Sequence, residues 1–232
     1  MYKDKKFLGI IPARGGSKGI KLKNIVDLAG KPLIAYSIEC GLKSKYIDDV
    51  VVTTDSEKIA EVAREYGAQV PFLRPEELAQ DTTTTAATVA HALKQLKELG
   101  KEYDDMVLLQ PTQPLRTAED VDGAIELYME KGREPLISVS PVGEHPILMR
   151  SINSDGKLVN ILETDKDTRR QDMPTFYKIN GCIYINETKG FSETSTYSKF
   201  DIPYVMEQSH SVDIDEPMDL MVAEYYLKKG NE

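Results

Sequence analysis

Phe7-Leu8-Gly9-Ile10-Ile11-Pro12-Ala13-Arg14-Gly15-Gly16-Ser17-Lys18-Gly19 is an apolar run that opens into a glycine-rich turn. Residues 7–11 read as a buried parallel strand, and the turn stands at its carboxyl end, where open α/β sheets bind ligands. Glycines there let the backbone approach a ligand and take positive φ. Successive N–H groups in such a turn can form an anion-binding nest. Arg14, Lys18, Lys21 and Lys23 add positive charge within ten residues. The simplest ligand for this loop is a polyphosphate. The spacing fits neither the Walker pattern G-x-x-x-x-G-K-S/T nor the dinucleotide pattern G-x-G-x-x-G. Taken alone, a basic Gly-rich loop is equally well a solvated surface turn. Its position after the first buried strand favours ligand binding.

The cation cluster stands against an acidic background. The chain has 232 residues, with 29 Lys and Arg against 38 Asp and Glu, for a net charge of −9. That balance argues against a nucleic-acid or membrane surface, which would require a basic face. No apolar run approaches the ~20 residues of a membrane span. Pro12 and Arg14 interrupt the first apolar run, so it does not read as a signal-peptide core. Cys40 and Cys182 sit in apolar patterns and read as reduced core thiols, not a disulfide or metal site. A cytoplasmic location is expected.

Taken in order, the chain alternates strands and helices. A helix is predicted from 33 to about 43, with Pro32 suited to its first turn. Residues 49–55 are β-branched and continuous, as a doubly covered strand requires. Asp55-Ser56 then caps a helix over 57–66, and Gly67 stops it. A short strand is predicted over 68–73, and a helix capped by Asp81 runs to about 99. A buried strand follows over 106–110. Thr117 and Asp120 have capping-box spacing at the start of a helix over 117–131. Another strand is expected over 136–140. This alternation predicts an α/β fold with a doubly wound, mostly parallel sheet. Right-handed crossovers would place the loops after Ile11, Thr53 and Leu109 on one edge. Beyond 140 the rhythm changes, and residues 145–174 read as a small β-arm excursion. Strands over 176–186, 204–206 and 211–215 and a closing helix over 216–228 complete the chain.

Asp213 and Asp215 lie two apart on the last β-like segment, so their carboxylates would share a face. Such a pair suits a hard divalent cation that keeps water and phosphate ligands. By itself the motif is more simply a helix cap, because Asp215 precedes the closing helix.

Several segments together resemble the acylneuraminate cytidylyltransferases, the CMP-sialic acid synthetases. They are Ile11-Pro12-Ala13-Arg14-Gly15-Gly16-Ser17-Lys18-Gly19, Lys23-Asn24, and Leu28-Ala29-Gly30-Lys31-Pro32-Leu33-Ile34. Further matches are Arg74-Pro75-Glu76-Glu77-Leu78-Ala79, Leu108-Leu109-Gln110-Pro111-Thr112-Gln113-Pro114-Leu115-Arg116, Asn180-Gly181-Cys182-Ile183-Tyr184 and Ser211-Val212-Asp213-Ile214-Asp215. The resemblance covers nearly the whole chain. It implies a Rossmann-like nucleotidyltransferase fold over residues 1–232 as a single cytidylyltransferase domain. It also implies a dimerisation and sugar-binding excursion around 143–175.

The same resemblance implies roles. Ala13, Arg14, Gly15, Gly16, Ser17, Lys23 and Asn24 would hold the triphosphate. Arg74, Thr83 and Thr85 would line the base pocket. Gln110, Arg170, Asn180 and Tyr184 would face a sugar acid, with Arg170 reaching a partner subunit's site in a homodimer. Asp213 and Asp215 would hold Mg²⁺, with Mn²⁺ as a substitute, and with Arg14 and Lys23 would carry catalysis. The implied reaction moves CMP from CTP to the anomeric hydroxyl of a nonulosonic acid, releasing pyrophosphate. N-acetylneuraminate or a related nonulosonate is the expected acceptor. Attack on the α-phosphate meets strong negative charge, so positioning and charge neutralisation dominate such chemistry.

Plainer readings stand beside these. The threonine run 82–85 is a hydroxyl-rich helix start, Gln110-Pro111 is a turn, and Arg116 structures a loop. The charged run around Arg170 is a solvated face. His145 and His210 read as structural. Leu148 stands where some relatives carry Lys, with Arg150 nearby, and Thr196-Tyr197 stands where relatives place aromatics near the sugar. Those departures leave the acyl groups open. The alternatives are a CMP-Kdo synthetase, another sugar nucleotidyltransferase using UTP or GTP, and a non-catalytic nucleotide-binding module.

Overall fold

A computed structural model describes residues 1–17, 19–162, 174–197 and 200–229. Among the described residues, eight longer strands and five α-helices organise it, beside a two-residue strand pair at Asp27–Leu28 and Lys31–Pro32. The strands are β1 (Phe7–Pro12), β2 (Ile47–Thr53), β3 (Asp105–Leu108), β4 (Leu136–Pro141), β5 (Arg150–Ile152), β6 (Leu158–Asn160), β7 (Tyr177–Glu187) and β8 (Ile202–Val205). The helices are α1 (Leu33–Lys43), α2 (Glu57–Glu65), α3 (Thr85–Glu98), α4 (Ala118–Glu130) and α5 (Pro217–Lys229). Six strands form one sheet in the order β8-β4-β7-β3-β1-β2. The pairings β2–β1, β1–β3 and β8–β4 are parallel. β7 is inserted antiparallel between β3 and β4. The expected α/β, mostly parallel sheet is present.

Alternation along the strands explains why both faces are covered. Phe7 and Ile11 of β1, Val50 and Val52 of β2, and Val107 of β3 pack with α1, α2 and α4. Leu8, Ile10, Val51, Met106 and Leu108 point the other way, onto Val89, Ala92 and Leu96 of α3. A smaller core of Ile20, Leu28, Leu33, Leu115, Ile214 and Ala223 joins the first loop, α1 and α5. Among the described residues no helix is long and apolar enough to cross a membrane.

Three expected features differ. Residues 68–73 form no strand; Gln69 makes a single parallel bridge with Val51. α3 begins at Thr85, and its cap is Thr84, whose hydroxyl accepts the Ala87 N–H at 3.1 Å; Asp81 is not the cap. Residues 211–215 form no strand either: Ile214 N–H bonds Thr112 O at 2.9 Å, while Ser211 N–H turns back to Gln208 O at 3.1 Å. Burial still alternates there: Ile214 is buried and Asp213 and Asp215 are exposed on either side. The capping box at Thr117 and Asp120 is formed as expected. The excursion is present as the antiparallel pair β5–β6, separate from the main sheet.

A buried polar frame lies under the carboxyl edge of the sheet. Arg116, 4% exposed, donates to Cys182 O and to Ser37 Oγ, each at 2.7 Å. Ser37 in turn donates to Gln110 O at 3.1 Å. Arg116 therefore ties α1, β7 and the loop after β3 together. Removing it would strand two buried acceptors and leave a cavity. Arg116→Ala is expected to lower stability by about 2–4 kcal/mol, measured by denaturant unfolding. A loss below ~1 kcal/mol would contradict this structural role.

Candidate active site

The carboxyl ends of β1 and β3 open onto one cleft of ≈ 420 Å³. Of the sequence-predicted residues, Arg14, Ser17, Lys23, Asn24, Arg74, Thr83, Thr85, Gln110 and Asp215 line it. The loop after β1 is held from several sides. Ala13 N–H bonds Thr53 O at 3.0 Å, and Gly15 N–H bonds Asp55 Oδ1 at 3.0 Å. Asn24 is buried and donates its amide to Arg14 O at 2.9 Å. Ser17 Oγ accepts Lys23 N–H at 3.1 Å. Ala13, Gly15 and Gly16 shape this loop from behind and are not on the cleft wall.

Arg74 forms the opposite wall. It is 5% exposed, and one Nη donates to Thr88 Oγ1 at 3.1 Å. Its other Nη lies 3.6 Å from Asp55, and among the described residues neither that Nη nor Nε has a hydrogen-bond partner. Burial pushes its pKa down, and Asp55 pulls it back up. Arg74 thus lines the cleft as a buried guanidinium whose unused donors are themselves shielded from solvent, a charge that favours anionic or acceptor-rich groups nearby.

Asp215 closes the rim. Lys23 Nζ donates to Asp215 Oδ1 at 3.0 Å and to Ile214 O at 2.8 Å. Asp215 is not spent on capping α5. Asp219, in the first turn of α5, reaches back to accept the N–H groups of Asp215 and Glu216 at 2.9 and 2.7 Å. Asp213 is exposed but backed by protein, which raises its pKa; neighbouring Asp215 adds to the rise, while Thr112 and Lys23 oppose it. Among the described residues no three His, Cys, Asp or Glu side chains form a metal cage. Of the two carboxylates only Asp215 is on the cleft wall.

The sugar-side residues divide. Gln110 reaches the cleft, with its Oε1 beside Gly181. Asn180 does not: its Oδ1 accepts from Ser138 Oγ and Cys182 N at 2.6 and 3.1 Å, and its Nδ2 donates to Ser211 Oγ at 2.9 Å. Both ends of that buried amide are used internally, so Asn180 braces the β4–β7 irregularity beside Gly181, whose φ is +75°. Tyr184 is outside the cleft lining and stacks near Tyr197, with ring centroids 4.9 Å apart. Burial raises its pKa, with smaller contributions from Cys182 and Asp213. Arg170 and Lys18 lie outside the described residues. His210 pairs with Asp120 at 2.9 Å, and the two nitrogens of His145 engage Ile147 N and Pro174 O, so both are structural as expected. Burial pushes the Cys182 thiol up to about 12, which leaves it inert.

The family model for cytidylyltransferases matches residues 8–227. The chain belongs to the cytidylyltransferase family. It is 41% identical to the CMP-N,N'-diacetyllegionaminic acid synthase of Legionella pneumophila, covering 98% of both chains. It is 34% identical to the pseudaminic acid cytidylyltransferase of Campylobacter jejuni, again over 98% of each. It is 34% identical to the N-acylneuraminate cytidylyltransferase of Escherichia coli O18:K1:H7, over 97% of this chain but 53% of that longer protein. A solved CMP:2-keto-3-deoxy-manno-octonic acid synthetase complexed with CTP shares the fold, with a TM-score of 0.73 at 16% identity over 97% of this chain and 99% of the other.

In this cytidylyltransferase, sequence reasoning missed Asp55 and Asp81. Both were read as helix caps, and both instead hold the β1 loop. Gly19 is the other close contact: a Cβ there would sit 2.5 Å from Asp215 O. Gly19→Ala should push the β1 loop off the Asp215 segment and lower kcat/KM at least about tenfold, with little change in melting temperature. An unchanged kcat/KM would show that this contact does not set the site.

Proposed function

We propose that this cytidylyltransferase activates a nonulosonic, sialic-type 2-keto acid with CTP for cell-surface glycan synthesis. The anomeric hydroxyl attacks the α-phosphorus in line. A bond forms between that oxygen and phosphorus, the α–β bridging bond breaks, pyrophosphate departs and the hydroxyl proton is lost. The reading is carried by one cleft that gathers Arg14, Lys23, Arg74 and Asp215. Relatives named for legionaminic, pseudaminic and neuraminic acids support this acceptor class over an eight-carbon acid.

In this mechanism the β1 loop and Arg14 hold the phosphates. Lys23 balances charge between them and the Asp215 segment. Arg74, Thr83 and Thr85 hold the base side, and Gln110 meets the sugar acid with a neutral amide. We assign Mg²⁺, or Mn²⁺ in its place, to Asp213 and Asp215. When bound, such a cation neutralises the triphosphate and favours an ionised attacking oxygen.

The proposal includes a homodimer in which the arm around 143–175 reaches the neighbouring site, with Arg170 pairing the sugar carboxylate. Ile152 and Leu158, each 72% exposed on β5 and β6, support it, since an isolated two-stranded sheet is marginal in water. Two buried free cysteines fit a reducing compartment, and we place the enzyme in the cytoplasm.

The decisive assay is pyrophosphate release with CTP, Mg²⁺ and a panel of N,N'-diacetyllegionaminate, pseudaminate, N-acetylneuraminate and Kdo. Release with a nonulosonate and not with Kdo is expected; release with Kdo alone, or with none, overturns the acceptor assignment. Asp213→Asn and Asp215→Asn should each cut kcat by at least about a hundredfold while unfolding is unchanged. Near wild-type rates would remove the metal from these carboxylates. Arg170→Ala should raise KM for the sugar acid and leave KM for CTP unchanged; equal effects would take Arg170 out of the sugar site.

A further inference from the structure

Asp81 is a carboxylate on the wall of a cleft suited to phosphates. Its presence there needs a cause, because a bare carboxylate would repel a triphosphate. Helix capping is not the cause, since Thr84 caps α3. Asp81 Oδ1 instead lies 2.8 Å from an Nη of Arg14. The two residues stand on different walls. Arg14 belongs to the loop after β1, and Asp81 to the segment between Arg74 and Thr83.

We propose that Asp81 is a positioning residue for Arg14, aiming its guanidinium into the cleft and locking the base wall to the phosphate wall. The inference rests on the CTP reading of the cleft. A guanidinium carries five donors, so one Nη can hold Asp81 while the other edge takes phosphate oxygens. Fixing a long Arg side chain costs rotamer freedom, and the ion pair meets that cost before the nucleotide arrives. A second carboxylate repeats the arrangement: Asp55 accepts Gly15 N–H at 3.0 Å and faces Arg74 at 3.6 Å. Two acidic side chains thus bridge the β1 loop and the Arg74 wall. The Arg14 and Asp81 side chains remain 35% and 47% exposed, so the pair adds little to global stability. Its effect belongs to binding.

The test is calorimetric titration of wild type, Asp81→Asn, Asp81→Glu, Arg14→Ala and the Asp81→Asn/Arg14→Ala double variant with CTP and with CMP. Asp81→Asn should bind CTP about tenfold more weakly and CMP within about twofold of wild type. CMP lacks the outer phosphates that an aimed Arg14 would hold. Asp81→Glu should recover part of the loss, because it keeps the charge. In the Arg14→Ala background, Asp81→Asn should cause no further loss of CTP affinity, the signature of action through Arg14. Tighter CTP binding by Asp81→Asn would show that Asp81 competes with phosphate, and would overturn the inference. So would equal losses for CTP and CMP, or an undiminished loss in the Arg14→Ala background. Wild type with no affinity for CTP would instead overturn the CTP reading itself.

Discussion

The ammonium of Lys23 joins two parts of the chain that the sequence keeps far apart. It donates at once to Ile214 O and to Asp215 Oδ1, and Gly19 leaves room for Asp215 O beside it. A cleft that must receive a highly charged anion has to concentrate cations, and concentrated cations repel one another. Here each cation has an acidic neighbour: Lys23 has Asp215, Arg14 has Asp81 and Arg74 has Asp55. The charges are kept close without an uncompensated buried charge, which would be costly to hold. The same pairs knit together the loop after β1, the wall after β2 and the segment before α5.

Those pairs work only on a firm base, and the sheet supplies it. Parallel strands β1, β2 and β3 deliver three loops to one edge. The antiparallel β7 then threads between β3 and β4 and brings Asn180 and Cys182 beneath that edge. Arg116, Ser37, Ser138, Asn180 and Ser211 share hydrogen bonds there, out of water. In a low-dielectric setting such a network resists rearrangement, because each broken bond leaves a buried polar atom unpaired. Ile214 adds an apolar anchor, packing with Ile20 and Leu115, so that Asp213 and Asp215 face outward on either side of a fixed point.

What was legible in the sequence follows from these forces. Strands buried on both faces, such as 7–11 and 50–53, announce themselves by continuous apolar and β-branched residues. Helices announce themselves by period and cap. The segment 211–215 kept a strand's alternation without its ladder, because Ile214 buries itself while making one backbone bond to Thr112. Alternation therefore leaves both carboxylates exposed for a reason other than pleating. Asp81 was misread because any of several hydroxyl or carboxylate residues before α3 could cap it. Only the tertiary fold decides that Thr84 does so and leaves Asp81 for Arg14. Asn180 was misread for the opposite reason: a motif shows that an amide is needed, not whether its partners are ligand or protein. Nothing local shows that β7 runs antiparallel, since direction depends on neighbours distant in the chain.

The two sides of the site are built to different standards. The wall assigned to the nucleotide in our proposal is made from buried or paired groups, with Arg74, Thr88 and Asn24 each held by short contacts within one chain. The proposed acceptor side lies beyond Gln110, where Tyr184, Tyr197 and Phe200 cluster outside the cleft lining and Leu148 and Arg150 of the arm lie exposed. Side chains packed in a shared core resist change, because altering one disturbs many contacts. Exposed loop and arm residues can change at little energetic cost. A protein divided in this way can keep one nucleotide chemistry while its acceptor surface varies, so the identity of the sugar acid should be sought in the arm and the aromatic group, not in the loop that defines the family.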